Sequence, residues 1–437
     1  MKKRLTWQAA LLALAVPMLL AVALPQVPGV FPLSSRAAQA EPALQQRFQQ
    51  WLEQEIWPQA RKAGISRAVF ERALRPVRLN LKLPDLVLPG RPAIPPEQQQ
   101  AEFASPARYF RESSLKVHTR RGQALLKRHA ALLQRVEQRF GVPGAVVLAI
   151  WARESNYGRA AIPHDALSIL ATQAYLGRRR QMFRRELLAA LQMLQRGMAR
   201  RDMLKSSWAG ALGQPQMMPS VYLRDAVDFD GDGRRDIWRS VPDVLASIAN
   251  HLRAGGWRRG LHWGVEVKLP RSVPCHLEGP DQGRTLAQWM KAGIRPLRGE
   301  FPAHWKRQKA LFLLTPAGRL GPAFLVSANF YALKEYNYSD LYALYIGHLA
   351  DRISGRVNGP FRTRWQEAGR LTRADVACMQ RQLQRMGHDV GGVDGLAGFR
   401  TRRSIGRFEE SRRMQPSCFP TPALRRALCA RRGDDGR

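Results

Sequence analysis

Cysteine, acidic residues and zinc-binding signatures are what this chain has least of. Four cysteines occur in 437 residues. None forms a C-x-x-C pair and no H-E-x-x-H is present, so a zinc site is not supported. Cys275, Cys378, Cys418 and Cys429 allow three complete pairings, and the spacing does not choose among them. Acidic residues number 34 against 70 lysines and arginines, for a formal charge of +36. Such a field attracts polyanions. The basic residues are spread from Arg61 to the C-terminus, as a general compositional bias would leave them. Nucleic acid is therefore not the expected partner, and an anionic envelope polymer suits an exported protein better. No cysteine follows the N-terminal apolar run, which leaves a lipid anchor without support.

What the N-terminus does have is an export signature. MKKR precedes the run LTWQAALLALAVPMLLAVAL, and a Pro-rich stretch then ends in AAQA. Residues 1–40 thus read as a signal peptide with Ala38 and Ala40 at the cleavage site, which places the mature chain in the periplasm. An uncleaved inner-membrane anchor is the alternative. A chain of this length suggests two or three domains. Apolar periodicity indicates helices over 42–75, then a Pro-rich bridge, then helices over 106–140. Short extended runs (GVEVKL, ALFLLT, AFLVSA) mark a strand-containing insert at about 258–330. A helix from Asp340 to Ile353 follows, with a linker at 361–370 and a three-helix module at 371–431.

The run VPGAVVLAIWARESNYGR poses a chemical question. Val147, Ile150 and Trp151 recur at helical spacing, and the next position on that apolar face is Glu154. A carboxylate there is either solvated near a helix end capped by Gly158 or buried, protonated and ready to act as a general acid.

Three further stretches carry chemistry. SSWAGALGQPQMMPSVY offers small residues for close backbone approach, with Ser207, Gln214 and Gln216 as hydrogen-bonding groups, or is an ordinary turn before a helix. In AVDFDGDGRRDIW, Asp228, Asp230, Asp232 and Gly233 match the start of a calcium loop, with the Arg234 carbonyl as a further ligand. Arg239 stands where that pattern wants a bidentate glutamate. Asp243 is either the borrowed oxygen ligand or an N3 residue behind a Ser240 N-cap, and an Asp-rich turn neutralised by Arg234, Arg235 and Arg239 is the metal-free reading. In NFYALKEYNYSDLYALYIGHL, Tyr336, Asn337 and Tyr342 suit a carbohydrate groove or a tyrosine-lined core.

Together and in this order, ESNYGR, SWAGALGQPQMMPS, DFDGDGRRDIW, GGW at 255–257 and Tyr336-Asn337 followed by Tyr342 resemble the B-type lytic murein transglycosylases. The last segment, from VACMQRQLQ to RFEE, resembles a three-helix peptidoglycan-binding domain. The resemblance implies a mainly α (α+β) fold: a lysozyme-like helical catalytic region over 41–360 with a small strand-containing insert, plus the C-terminal module. It implies Glu154 as sole acid/base. Ser207, Gln216, Tyr336, Asn337 and Tyr342 would contact glycan or orient the acid, and Asp228, Asp230, Asp232, Arg234 and Asp243 would hold structural calcium. No cofactor is implied for catalysis. Expected partners are peptidoglycan glycan strands and other cell-wall enzymes, with a monomer as the working unit. A hydrolytic muramidase and a non-catalytic wall-binding protein are the rival readings.

Overall fold

The computed structural model describes residues 33–88 and 106–429. The signal sequence reading therefore lies almost wholly outside the described residues, as does part of the Pro-rich bridge. Among the described residues no helix is long and apolar enough to cross a membrane. The chain up to Gln49 forms one compact unit, and the residues from Gln50 onward form a second.

Helix α1 (Leu33–Trp51) runs into a π-helical turn at Leu52–Ile56, then α2 (Trp57–Lys62) and α3 (Arg67–Leu74). After the bridge come α4 (Glu112–Arg128), α5 (Ala130–Phe140) and α6 (Gly144–Ser155). Helix α6 is the pivot of the fold. Every residue from Gly144 to Ala152 is buried, so it is apolar all round and sits inside the molecule, with Arg153 exposed and Glu154 partly buried near its end. Helices α7 (Ala166–Leu176), α8 (Arg180–Gln195), α9 (Pro219–Asp225) and α10 (Val241–Ala254) follow. A two-stranded ribbon pairs β1 (His164–Asp165) with β2 (Lys205–Ser206).

The insert expected at about 258–330 is a four-stranded antiparallel sheet. It comprises β3 (Gly264–Lys268), β4 (Arg295–Pro296), β5 (Phe312–Leu314) and β6 (Ala323–Val326) in the order β4-β3-β6-β5. Its register sets Val265 opposite Leu325 and Leu313 opposite Leu325 on the other side. Short α11 (Leu286–Lys291), closed by a Thr285–Gln288 capping box, covers one face through the buried Trp289. Helices α12 (Ala328–Tyr336) and α13 (Asp340–Ile353) return the chain to the main core, where α13 packs along α6. Every residue of α13 from Leu341 to Ile353 is buried. Its charged members are paired: Arg352 donates to both oxygens of Glu112 at 2.8 Å, and Asp351 accepts from Trp263 Nε1 at 3.0 Å.

Helices α14 (Arg373–Arg385), α15 (Phe399–Ser411) and α16 (Pro422–Cys429) form the expected three-helix module around Val376, Met379, Leu383, Ile405 and Leu424. The Cys378–Cys429 disulfide joins its first and last helices. The segment read as a linker is packed. Trp365 stacks on Phe110 with centroids 5.5 Å apart, and the Gln366 amide donates to the Leu320 carbonyl at 2.7 Å. A second disulfide, Cys275–Cys418, fastens the module to the sheet insert across 143 residues of sequence. Beside it the Arg319 amide donates to the Ser417 carbonyl at 2.8 Å. The overall fold is thus mainly helical with small sheets, as the sequence predicts.

Candidate active site

Glu154 occupies the last turn of α6. The helix closes on Asn156 rather than on Gly158: Asn156 (φ 50°), Tyr157 (φ 60°) and Gly158 (φ 76°) are all left-handed. Asn tolerates this conformation, and a bulky Tyr there is strained, at a cost of about 1–3 kcal/mol. Gly158 serves another purpose. A Cβ there would lie 2.3 Å from Gln214 Oε1, so glycine allows the two segments to touch. Gln214 is a clamp. Its Oε1 accepts from Trp151 Nε1 at 2.8 Å and its Nε2 donates to the Trp238 carbonyl at 2.7 Å, tying α6 to the Gly-rich loop and the Asp-rich loop. Gln216, two residues on, is also left-handed (φ 56°), and its side chain folds back on the Gly213 carbonyl at 2.8 Å.

The Glu154 carboxylate meets the Tyr342 hydroxyl, which donates to Oε1 at 2.5 Å. Tyr342 is buried and lies parallel to Tyr336, with ring centroids 6.4 Å apart. Tyr336 donates its own hydroxyl to the Pro215 carbonyl at 2.7 Å, which brings the 206–222 stretch and the tyrosine helices to one place. Behind Tyr336 stands His251, edge-on at 5.0 Å, its Nδ1 held 2.6 Å from Asp225. Loss of water around Glu154 raises its pKa to about 7, against the smaller lowering effects of the Tyr342 hydrogen bond and of Arg153. Of the two readings kept open for Glu154, the one in which protein replaces water describes this site.

Not every residue singled out in the sequence converges here. Ser207 and Asn337 make no hydrogen bond to Glu154; the Asn337 side chain accepts from the Ser339 amide at 3.1 Å and otherwise faces solvent. Two other residues of the 206–222 stretch matter more: Gln214, whose polar groups bind protein partners (Trp151 and the Trp238 carbonyl), and one that sequence reasoning missed. Trp208, in the same loop, is 47% exposed, an unusual state for tryptophan and one that offers a flat apolar face.

The Asp-rich loop is a separate feature. Carboxylate oxygens of Asp228, Asp230 and Asp232 lie within 4.8 Å of one another. Asp228 accepts from the Gly231 and Gly233 amides, and Asp232 from the Arg234 amide. Among the described residues no salt bridge within 4 Å joins Arg234, Arg235 or Arg239 to these aspartates. Asp243 stands outside the group. It is fully buried, its oxygens accepting from the Phe229 and Asp236 amides at 2.7 Å each, while its own amide donates to the Ser240 N-cap hydroxyl. Asp243 closes the loop from beneath.

A family model described as a transglycosylase SLT domain matches residues 47–351. The chain is 29% identical over 275 residues to the membrane-bound lytic murein transglycosylase B of Escherichia coli (strain K12), which covers 63% of this chain and 73% of that protein. Among solved structures it is similar to SltB3 from Pseudomonas aeruginosa in complex with NAG-anhNAM-pentapeptide, with 39% identity and a TM-score of 0.76 over 87% of this chain and 99% of that one. The Escherichia coli lytic transglycosylase SLT35 in complex with bulgecin A follows at 25% identity and a TM-score of 0.55, covering 71% and 93%.

Proposed function

Because the chain belongs to the transglycosylase SLT domain family, and is a lytic transglycosylase acting on peptidoglycan, we propose that it breaks the β-1,4 bond between N-acetylmuramic acid and N-acetylglucosamine without water, leaving 1,6-anhydromuramic ends. The observation that carries this reading is the Glu154 carboxyl in the last turn of α6, with the Tyr342 hydroxyl on its Oε1 and its pKa raised to about 7 by loss of water.

A glycosidase ordinarily needs two carboxyl groups, one as acid and one as nucleophile or base. With one, the sugar must supply the rest. Protonated Glu154 gives its proton to the leaving glycosidic oxygen while the muramic N-acetyl oxygen stabilises the positive charge growing at C1. The resulting Glu154 carboxylate then takes the proton of the C6 hydroxyl as that oxygen closes on C1. Proton and charge balance without a water molecule. A pKa near the working pH serves both steps. Tyr342 fixes which way the carboxyl faces, and Tyr336, through Pro215, holds the Gly-rich loop against it. Trp208 and the amide of Gln216 offer stacking and hydrogen-bonding surface for sugar rings. In the same reading Ser207 and Asn337 lie along the glycan, the C-terminal three-helix module binds peptidoglycan, and the exported enzyme works in the periplasm.

Calcium fits the Asp-rich loop, since three carboxylate oxygens within 4.8 Å of one another are what a hard cation gathers. Asp228, Asp230, Asp232 and the Arg234 carbonyl would hold it, and it would supply loop rigidity rather than chemistry. The hydrolytic alternative needs a second carboxylate at Glu154.

Glu154→Gln tests the assignment. The amide keeps shape but has no proton to give, so folding and sacculus binding are expected to persist while release of soluble muropeptides falls by at least about a thousandfold. A variant keeping about a tenth of wild-type turnover would remove Glu154 from the chemistry.

A further inference from the structure

Each of the paired tyrosines stands two residues after a member of one buried ionic network. Lys334 precedes Tyr336 in α12, and Asp340 precedes Tyr342 at the start of α13. Lys334 Nζ donates to Asp340 Oδ1 at 2.5 Å. Arg402, from α15 in the C-terminal module, donates to the other oxygen of Asp340 at 2.8 Å. Its fork also grips both oxygens of Glu278 in the sheet insert, at 2.8 and 2.9 Å, and its last nitrogen donates to the Ala397 carbonyl at 2.8 Å. The Arg402 side chain is 4% exposed and that of Glu278 not at all. Thr315 adds its backbone amide to Glu278 at 3.2 Å.

Such a network is a costly way to add stability, because taking each ion out of water costs several kcal/mol and well-packed apolar residues often do as well. What it does confer is position. In the turn between α12 and α13 Asn337 is exposed and Tyr338 is 80% exposed; local hydrogen bonds run from the Ser339 amide to Asn337 and from the Tyr342 amide to Ser339, and the Asp340 ion pairs tie the turn, through Arg402, to the sheet insert and the C-terminal module. Asp340 lies about 3 Å along the helix axis from Tyr342, so displacement of one is transmitted to the other. A shift of about 1 Å at a catalytic group can cost about a hundredfold in rate.

We propose that Arg402 is a positioning residue for the transglycosylase site, holding the α12–α13 turn through Asp340 so that the Tyr342 hydroxyl stays on Glu154. The C-terminal module is then part of the catalytic architecture. The proposal rests on the assignment of Glu154 as acid/base.

The experiment is a double-mutant cycle on the full-length protein with soluble, uncross-linked glycan. Arg402→Met is expected to lower kcat at least about tenfold with KM changed less than about twofold, and to move the alkaline limb of the pH profile upward as Tyr342→Phe does, since the lost hydrogen bond favours the ionised carboxyl. In the Tyr342→Phe background the same change should cost no more than about twofold, because the two residues act on one contact. Equal losses in both backgrounds would overturn the proposal. Arg402→Met leaves the buried Glu278 unpaired and could prevent folding, so Asp340→Ala is measured beside it. That variant keeps the Arg402–Glu278 pair and removes the carboxylate through which Arg402, together with Lys334, holds α13. Wild-type kcat and pH profile in Asp340→Ala would overturn the proposal while an inactive Glu154→Gln leaves the acid/base assignment standing. Activity retained in Glu154→Gln would sink that assignment, and the proposal with it.

Discussion

Glu154 holds its proton to a pH at which an ordinary glutamate has long lost it, and this has two measurable effects. The acid must be protonated to start the reaction, so kcat/KM on soluble glycan is expected to fall as pH rises through about 7. Stability follows the same group. Its folded pKa of about 7 lies above the ordinary value of 4.5, so its contribution is present in full below the unfolded value and is lost as pH rises through the folded one. Glu154→Gln should therefore melt higher than wild type at about pH 8, by the equivalent of about 1–3 kcal/mol, with the gap closing toward about pH 4. A gap that does not change with pH would mean that Glu154 titrates normally. The position of this residue was legible in the sequence because apolar residues at helical spacing lead to it. Its partner Tyr342 was reached only through the family resemblance, since it is 188 residues away and only the packing of α13 on α6 brings them together. Gly158 misled as a cap because its lack of a Cβ serves contact with Gln214, a tertiary fact.

At the scale of elements, local chemistry was the reliable guide. Ser339-Asp340 marks the start of α13, and the structure shows the Ser339 side chain accepting from the Tyr342 amide there. The short extended runs of the insert became strands, but the pairing of β3 with β6, with α11 and two strands between them in sequence, is a long-range outcome that periodicity does not encode. Of the two roles considered for Asp243, the capped-helix reading matches the Ser240 N-cap and the two backbone amides it receives. The proposed calcium site rests on the Asp228–Asp232 carboxylates, with Asp243 buried beneath them. Millimolar calcium is expected to raise the melting temperature, by the equivalent of about 2.7 kcal/mol when calcium is a hundred times its Kd, and Asp230→Ala with Asp232→Ala should abolish the rise. A melting temperature indifferent to calcium and chelator in the wild-type protein would show that the loop holds no cation.

For the whole molecule, the segment between catalytic region and C-terminal module decides the behaviour. Polar composition suggested a linker, yet Trp365, Gln366, the Cys275–Cys418 disulfide and the Arg402–Glu278 pair fasten the module in place. The sequence could not show this, because four cysteines do not state their pairing and a buried arginine reads like any of the many exposed ones. Removing residues from about 366 onward should thus strand Glu278 in the interior, which costs about 3–5 kcal/mol, and lower the melting temperature together with turnover of short soluble glycan. A truncated protein with wild-type stability and soluble turnover would mean that the module is only tethered. The central claim, that one carboxyl and the sugar's own C6 hydroxyl complete the reaction, is tested most directly by digesting purified glycan in heavy-oxygen water and weighing the muramic ends. The account predicts anhydro ends lighter than reducing ends by one water and free of the heavy isotope. Reducing ends that carry heavy oxygen would show that water attacks C1, and would contradict it.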